Sequence, residues 1–267
     1  MVRKPAVAGA FYDAVPERLA RQVSELMEGH QERAKALGIV SPHAGLVYSG
    51  GVAGAVYSRA EIPGTVVLLG PNHTGYGADA SIMAGGGWEM PWGRVEIDSA
   101  LAGRLMELAP SLSEDHSAHV EEHSLEVQLP FIRYFRDDFR ILPIVLMRLT
   151  LEQCEELGRA LADSIREARG GALMVASTDM SHYENQKAAE RKDRIAIDRI
   201  LALDHAGLYE TVRREGITMC GFIPTTVMLS ACKELGATGA SLVKYQTSGD
   251  VSGNYDEVVG YAGLLIR

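Results

Sequence analysis

Three short apolar runs in this chain are rich in β-branched residues, and each ends in a turn that holds a histidine. Ile39-Val40 leads into Ser41-Pro42-His43-Ala44-Gly45, and Val66-Val67-Leu68-Leu69 leads into Gly70-Pro71-Asn72-His73-Thr74-Gly75. Leu173-Met174-Val175-Ala176-Ser177 leads into Thr178-Asp179-Met180-Ser181-His182. Runs of this kind, bounded by Gly and Pro, read as buried strands. The segments between them carry apolar residues at helical spacing. Strands that alternate with helices predict an α/β fold, a mixed sheet with helices on both faces. In such sheets ligands settle in the crevice at the carboxyl ends of the strands. A polar residue capping a strand would explain one such histidine. Three histidines and one aspartate at equivalent strand ends point to a site, because metal and acid/base chemistry use imidazole and carboxylate.

The chain has 267 residues and is 46% hydrophobic, enough for a sizeable core in a single domain spanning 1–267. No linker, internal repeat or low-complexity stretch interrupts it. The net charge of −9 argues against nucleic acid as a partner, since such proteins usually present a basic stripe. The run Arg191-Lys192-Asp193-Arg194 reads as the solvated face of a helix. Three cysteines without a C-x-x-C, and no apolar segment after Met1-Val2-Arg3-Lys4-Pro5, predict a reducing, cytoplasmic setting with no membrane span.

Helices are predicted over residues 16–35, 50–59, 99–108, 151–169, 186–203 and 225–234, the last with Pro224 in its first turn. Residues 123–135 have helical spacing with Pro130 kinking or restarting the helix. The first two of the three strand runs are predicted over 38–41 and 65–69. Further strands are predicted at 140–146, 242–247 and 258–266, and Pro143 argues for an edge or bulge position for the 140–146 strand. Residues 75–94 read as a long loop or hairpin.

The stretch Asp115-His116-Ser117-Ala118-His119-Val120-Glu121-Glu122-His123 is dense in histidine and acid. If it is helical, His119 and His123 share a face. Glu122 and His123 could serve a pocket or could simply open a helix; His116 and His119 read as polar loop. Cys220 lies just before a helix start, which would lower its pKa and favour reactivity, or it is a small buried apolar residue. Cys154 and Cys232 fall inside helices and read as core. Asp179 and His182, with Ser177 and Ser181 nearby, could suggest a hydrolase, but no G-x-S-x-G elbow is present. Gly75-Tyr76-Gly77 lacks the third glycine of a dinucleotide fingerprint, so no nucleotide cofactor is expected. Asp250, in a Gly-rich segment after a strand, is one more strand-end carboxylate, although Gly-Asp is also a common turn pair.

Taken together, Pro5-Ala6-Val7-Ala8-Gly9-Ala10-Phe11-Tyr12, Pro42-His43-Ala44-Gly45, Gly70-Pro71-Asn72-His73, Glu122-His123-Ser124-Leu125-Glu126, Ser177 to His182 and Cys220-Gly221 resemble the motifs of the Memo family, which includes the AmmeMemoRadiSam system protein B group. The resemblance runs nearly end to end. It implies a fold similar to class III extradiol dioxygenases, which use non-haem Fe(II). It implies that His43 and His73 bind a metal and that His182 acts as the acid/base histidine. It also implies a functional link to AMMECR-type and radical SAM proteins. Animal members offer a cysteine as a third ligand where this chain has Val251, so Asp250, or failing it Asp179, is the expected third donor.

The sequence therefore predicts a pocket with His43, His73 and Asp250 around Fe(II) or another divalent first-row ion. Asn72 and Glu122 would line it, and His123, Asp179, His182 and Cys220 would do chemistry. His43 and His73 should approach within about 5 Å, as a shared ion requires. The expected activity is metal-dependent or redox-linked chemistry on a small molecule. A non-enzymatic protein that binds a peptide or partner in the same pocket is the alternative.

Overall fold

A computed structural model describes residues 1–29, 32–168 and 170–267. In chain order the strands are β1 (Val2–Arg3), β2 (Gly38–Ser41), β3 (Thr65–Pro71), β4 (Ala80–Ile82), β5 (Gly87–Met90), β6 (Gly93–Ile97), β7 (Ser113–Glu114), β8 (Arg140–Leu146), β9 (Leu173–Ser177), β10 (His182–Glu184), β11 (Ala240–Thr247) and β12 (Val258–Ile266). The helices are α1 (Pro16–Leu26), α2 (Leu46–Tyr57), α3 (Ser99–Leu108), α4 (Leu129–Phe135), α5 (Leu151–Glu167), α6 (Gln186–Leu201), α7 (His205–Glu215), α8 (Phe222–Glu234) and the short α9 (Gly249–Ser252).

The strands form one mixed sheet. Its centre is the parallel set β8-β3-β9-β2, with β12 antiparallel beside β2. Both sides of the central strands are covered, as a parallel set demands. Period-two alternation sorts the side chains: Val67, Leu69, Met174 and Ala176 pack with α3, α5 and α8 on one face. Val66, Leu68, Leu173 and Val175 pack with α1, α2 and α4 on the other. Strand β9 lies between β3 and β2, so three neighbouring strands bring His73, the Asp179–His182 turn and His43 side by side.

Several boundaries differ from those expected. The first helix ends at Leu26, ahead of Gly29; His30 and Gln31 of the expected span lie outside the described residues, as does Arg169 of the helix expected over 151–169. Helix α2 begins four residues before Gly50. Its glycines serve a close crossing: a Cβ on Gly50 would meet Leu26 Cδ1 at 2.6 Å, and one on Gly54 would collide with the Leu26 carbonyl. Pro130 falls in the first turn of α4 after a 3-10 turn, so it restarts the helix. Strand β8 is interior, not an edge. Its Pro143 faces the seam where β6 leaves and β4 arrives, and its carbonyl there accepts from Met83 N–H. The missing N–H therefore points into a gap between partner strands. Helix α7 was not anticipated; Asp204 caps it by accepting from Gly207 N–H.

Candidate metal centre

His43 follows β2 and is almost fully buried. Its Nδ1 lies 2.9 Å from Ser177 Oγ. The Ser177 hydroxyl donates its single proton to the Ser124 carbonyl (2.7 Å) and accepts from Gln128 Nε2 (2.8 Å). Toward His43 it can therefore only accept, which places the imidazole proton on Nδ1 and leaves Nε2 bare. Burial, reinforced by His73 and His123, holds the His43 pKa well below the usual value, so the ring is neutral.

His73 follows β3 and is fixed in the same way. Its Nδ1 donates to Glu122 Oε1 at 2.9 Å and its backbone N–H to Glu122 Oε2 at 2.5 Å. Burial alone would lower the His73 pKa, but the Glu122 hydrogen bond and charge raise it overall. The carboxylate takes the Nδ1 proton as acceptor, and Nε2 again faces away from it. A carboxylate holding the far nitrogen of an imidazole is the arrangement that orients metal-binding histidines.

His123 completes the group. The ring atoms of His43, His73 and His123 that could serve as ligands all lie within 4.8 Å of one another. The His123 ring stacks on His73 with centroids 4.7 Å apart and meets the Phe11 edge at 4.9 Å. Its Nδ1 is 3.6 Å from Glu122 Oε1, beyond hydrogen-bond reach. Burial lowers the His123 pKa, opposed by the Glu122 charge. Three imidazoles converging this closely suit Zn, Cu, Fe or Ni, which bind the deprotonated ring nitrogens.

The remaining expected residues divide between the cleft and the scaffold. Asp179, buried, accepts the His43 N–H on Oδ1 (2.8 Å) and brings Oδ2 to 4.0 Å from His43 Nε2; burial raises its pKa. Cys220 Sγ stands 3.4 Å from His43 Nε2 and accepts the Asp179 N–H at 3.2 Å. The helix start was expected to lower this thiol's pKa. Burial, and after it the Asp179 charge, push it up instead. His182 opens β10 and donates from Nδ1 to the Thr218 carbonyl (2.9 Å). The adjacent Tyr183 takes a left-handed φ of 57° with its ring exposed.

Asn72 is spent on its own loop: Oδ1 accepts from Thr74 and Gly75, and Nδ2 donates to the Tyr76 carbonyl. Asp250, expected as the third donor, is likewise spent on a turn. Its carboxylate accepts Thr247 N–H at 2.7 Å and Thr247 Oγ1 at 3.3 Å. The third member that the structure brings to His43 and His73 is His123. The 115–123 stretch is not a continuous helix, so His119 and His123 do not share a face. His119 is buried 6.2 Å from Trp88, with neither ring nitrogen hydrogen-bonded among the described residues. Gln128, which helps fix the His43 tautomer, was not foreseen as a site residue, and Ser177 was weighed only for a hydrolase; its role as the hydrogen-bond acceptor of His43 leaves no distinctive sequence signal.

Residues 3–265 match the family of Memo-like proteins. The chain belongs to the Memo family. A MEMO1 family protein of Methanothermobacter thermautotrophicus is 44% identical over 278 residues, covering 99% of this chain and 100% of that one. A MEMO1 family protein of Aquifex aeolicus is 45% identical over 267 residues, covering 99% and 98%. One of Methanopyrus kandleri is 43% identical over 281 residues, covering 100% and 99%. Among solved structures, an uncharacterised protein of Escherichia coli K12 superposes with a TM-score of 0.54 at 16% identity, over 85% of this chain and 99% of that one. That likeness is one of fold. No helix among the described residues is long and apolar enough to cross a membrane.

Proposed function

We propose that this Memo family member is a metal-dependent protein, of the non-haem iron type or redox-linked, that binds one divalent first-row ion at His43, His73 and His123 and acts there on a small molecule. The observation that carries the reading is the pair of fixed tautomers. Ser177 and Glu122 hold the Nδ1 protons of His43 and His73, so both rings offer a bare Nε2 to one cleft. The donor set fits an ion, with Glu122 as the outer carboxylate that such sites use. When bound, the ion would supply Lewis acidity or redox chemistry at positions the three imidazoles leave open.

The protein's own groups account for proton handling. Asp179 Oδ2, 4.0 Å from His43 Nε2, is placed to take or give a proton at the cleft. His182, oriented through its Nδ1 by the Thr218 carbonyl, fits the acid/base role implied by resemblance to the extradiol dioxygenases. A third imidazole in place of a carboxylate weakens the preference for Fe(II) or Mn(II) over Zn or Cu. Metal analysis of protein purified without oxygen, alongside a His43→Ala/His73→Ala variant, tests the reading: loss of bound metal in the variant is expected, and metal-free wild type would overturn it.

A second reading, peptide or partner binding at the same mouth, is favoured by the exposed Tyr48, Tyr76, Tyr183 and Tyr255. The first three follow His43, His73 and His182 closely in sequence. Exposed aromatic residues of this kind fit a binding surface.

A further inference from the structure

We propose that the N-terminal segment, residues 3–12, is a cross-brace that sets the placement of His123 relative to His43, with Arg3, Phe11 and Tyr12 as positioning residues. The inference rests on the metal reading but on separate contacts. The hub is Glu126, fully buried three residues after His123. Its carboxylate accepts from Arg3 Nη1 (2.6 Å), Ala6 N–H (2.7 Å), Val7 N–H (3.1 Å) and Tyr12 Oη (2.6 Å). All four donors come from the N-terminal segment.

Arg3 then clamps the stretch that leads into His123. Its Nε donates to the His119 carbonyl at 2.5 Å and its Nη2 to the Glu122 carbonyl at 2.6 Å, while its guanidinium lies 4.1 Å from the Trp88 ring centroid. The other end of the segment reaches the opposite arm of the site. The Phe11 ring meets His123 edge-on at 4.9 Å, and the Phe11 carbonyl accepts from Leu46 N–H at 2.8 Å. Leu46 begins α2, three residues after His43. One segment is thus bonded both to the loop carrying Glu122 and His123 and to the turn carrying His43, whose rings lie 5.5 Å apart.

The choice of a buried ion pair supports a positioning role. Such a pair adds little net stability over an apolar packing, because desolvation offsets the attraction, yet it fixes geometry in several directions at once. Arg3, Phe11 and Tyr12 place no ligand atom among the three histidines, so their effect on a bound ion must pass through the placement of His123 against His43.

Co(II) titration of wild type, Phe11→Ala and Tyr12→Phe tests this, with each substitution repeated in a His123→Ala background. Expected is a loss of about 10–100-fold in Co(II) affinity for each, as for other outer partners of metal ligands. A change in the ligand-field spectrum is expected too, and no further loss once His123 is gone. Wild-type affinity in both variants, or losses that add in full to His123→Ala, would overturn the inference. Ring-proton NMR of the metal-free proteins decides the matter independently of any ion. The His43 and His123 signals should shift in Phe11→Ala while those of His205, bonded to Glu155 on another part of the fold, stay put. Unmoved His43 and His123 signals would also overturn it. Wild type that takes up no Co(II) but shows the NMR shifts would sink the metal reading and leave the brace standing.

Discussion

His73 grips Glu122 twice, donating its backbone N–H at 2.5 Å and its Nδ1–H at 2.9 Å to the two oxygens of one carboxylate. Burial acts to raise the pKa of Glu122. The hydrogen bond and charge of His73, with the Ser124 N–H, more than offset it and hold the carboxyl down to about 2. The group stays ionised at neutral pH and holds the His73 Nδ1 proton, so the nitrogen left for an ion is Nε2.

Replacing Glu122 by glutamine puts an amide donor where one of these donors now finds an acceptor. The expected cost is about 1–3 kcal/mol of stability from mismatched buried polar groups. Metal affinity should fall about 10–100-fold. Urea unfolding and metal titration measure the two effects separately. Unchanged affinity in a folded Glu122→Gln protein would show that Glu122 does not orient the site.

Much of this arrangement was legible in the sequence, and the losses have physical causes. The strand Leu173–Ser177 and the helix Ser99–Leu108 stand where periodicity placed them, because period-two and period-3.6 patterns survive burial on both faces. The pairing of His43 with His73 followed from equivalent strand ends. The role of His123 did not. Helical spacing linked it to His119, but a 3-10 turn at Ser117–His119 sends that ring toward Trp88 and leaves His123 to the cleft. The strands of three residues or fewer, such as Ala80–Ile82, owe their existence to partners distant in sequence.

Burial, with added repulsion from Arg3 and His116, lowers the His119 pKa from 6.5 to about 3. Folded protein keeps this ring neutral while the unfolded chain takes up its proton below about pH 6.5. The associated stability is full above that pH and is lost as pH falls toward about 3. Urea midpoints measured with a chelator across this window should fall more steeply in wild type than in His119→Phe. Parallel slopes would contradict the buried, neutral state.

Gly54 has no room for a methyl group, because its added carbon would strike the Leu26 carbonyl oxygen. Gly54→Ala is therefore expected to destabilise by about 1–3 kcal/mol through overpacking between α1 and α2, despite alanine's better helix propensity. A lowered thermal midpoint checks this. A stabilised variant would mean that the two helices do not cross so closely.

Cys154 and Cys232 are buried, whereas Cys220 is half-buried beside His43. Burial first, and the Asp179 charge second, keep the Cys220 thiol protonated at neutral pH. Iodoacetamide should modify Cys220 ahead of the other two, yet slowly, and metal at the histidines should slow it further. Mass spectrometry over time reads the order. Earlier modification of Cys154 or Cys232, or rapid modification of Cys220 at neutral pH, would contradict the geometry.

Elemental analysis of the anaerobically purified wild type beside His43→Ala, His73→Ala and His123→Ala tests the three-histidine centre most directly. Expected is roughly one first-row divalent ion per wild-type chain, with each single variant losing most of it while keeping its circular dichroism spectrum. Wild type that holds no ion, or a His123→Ala protein that retains it in full, would contradict a centre built on these three residues.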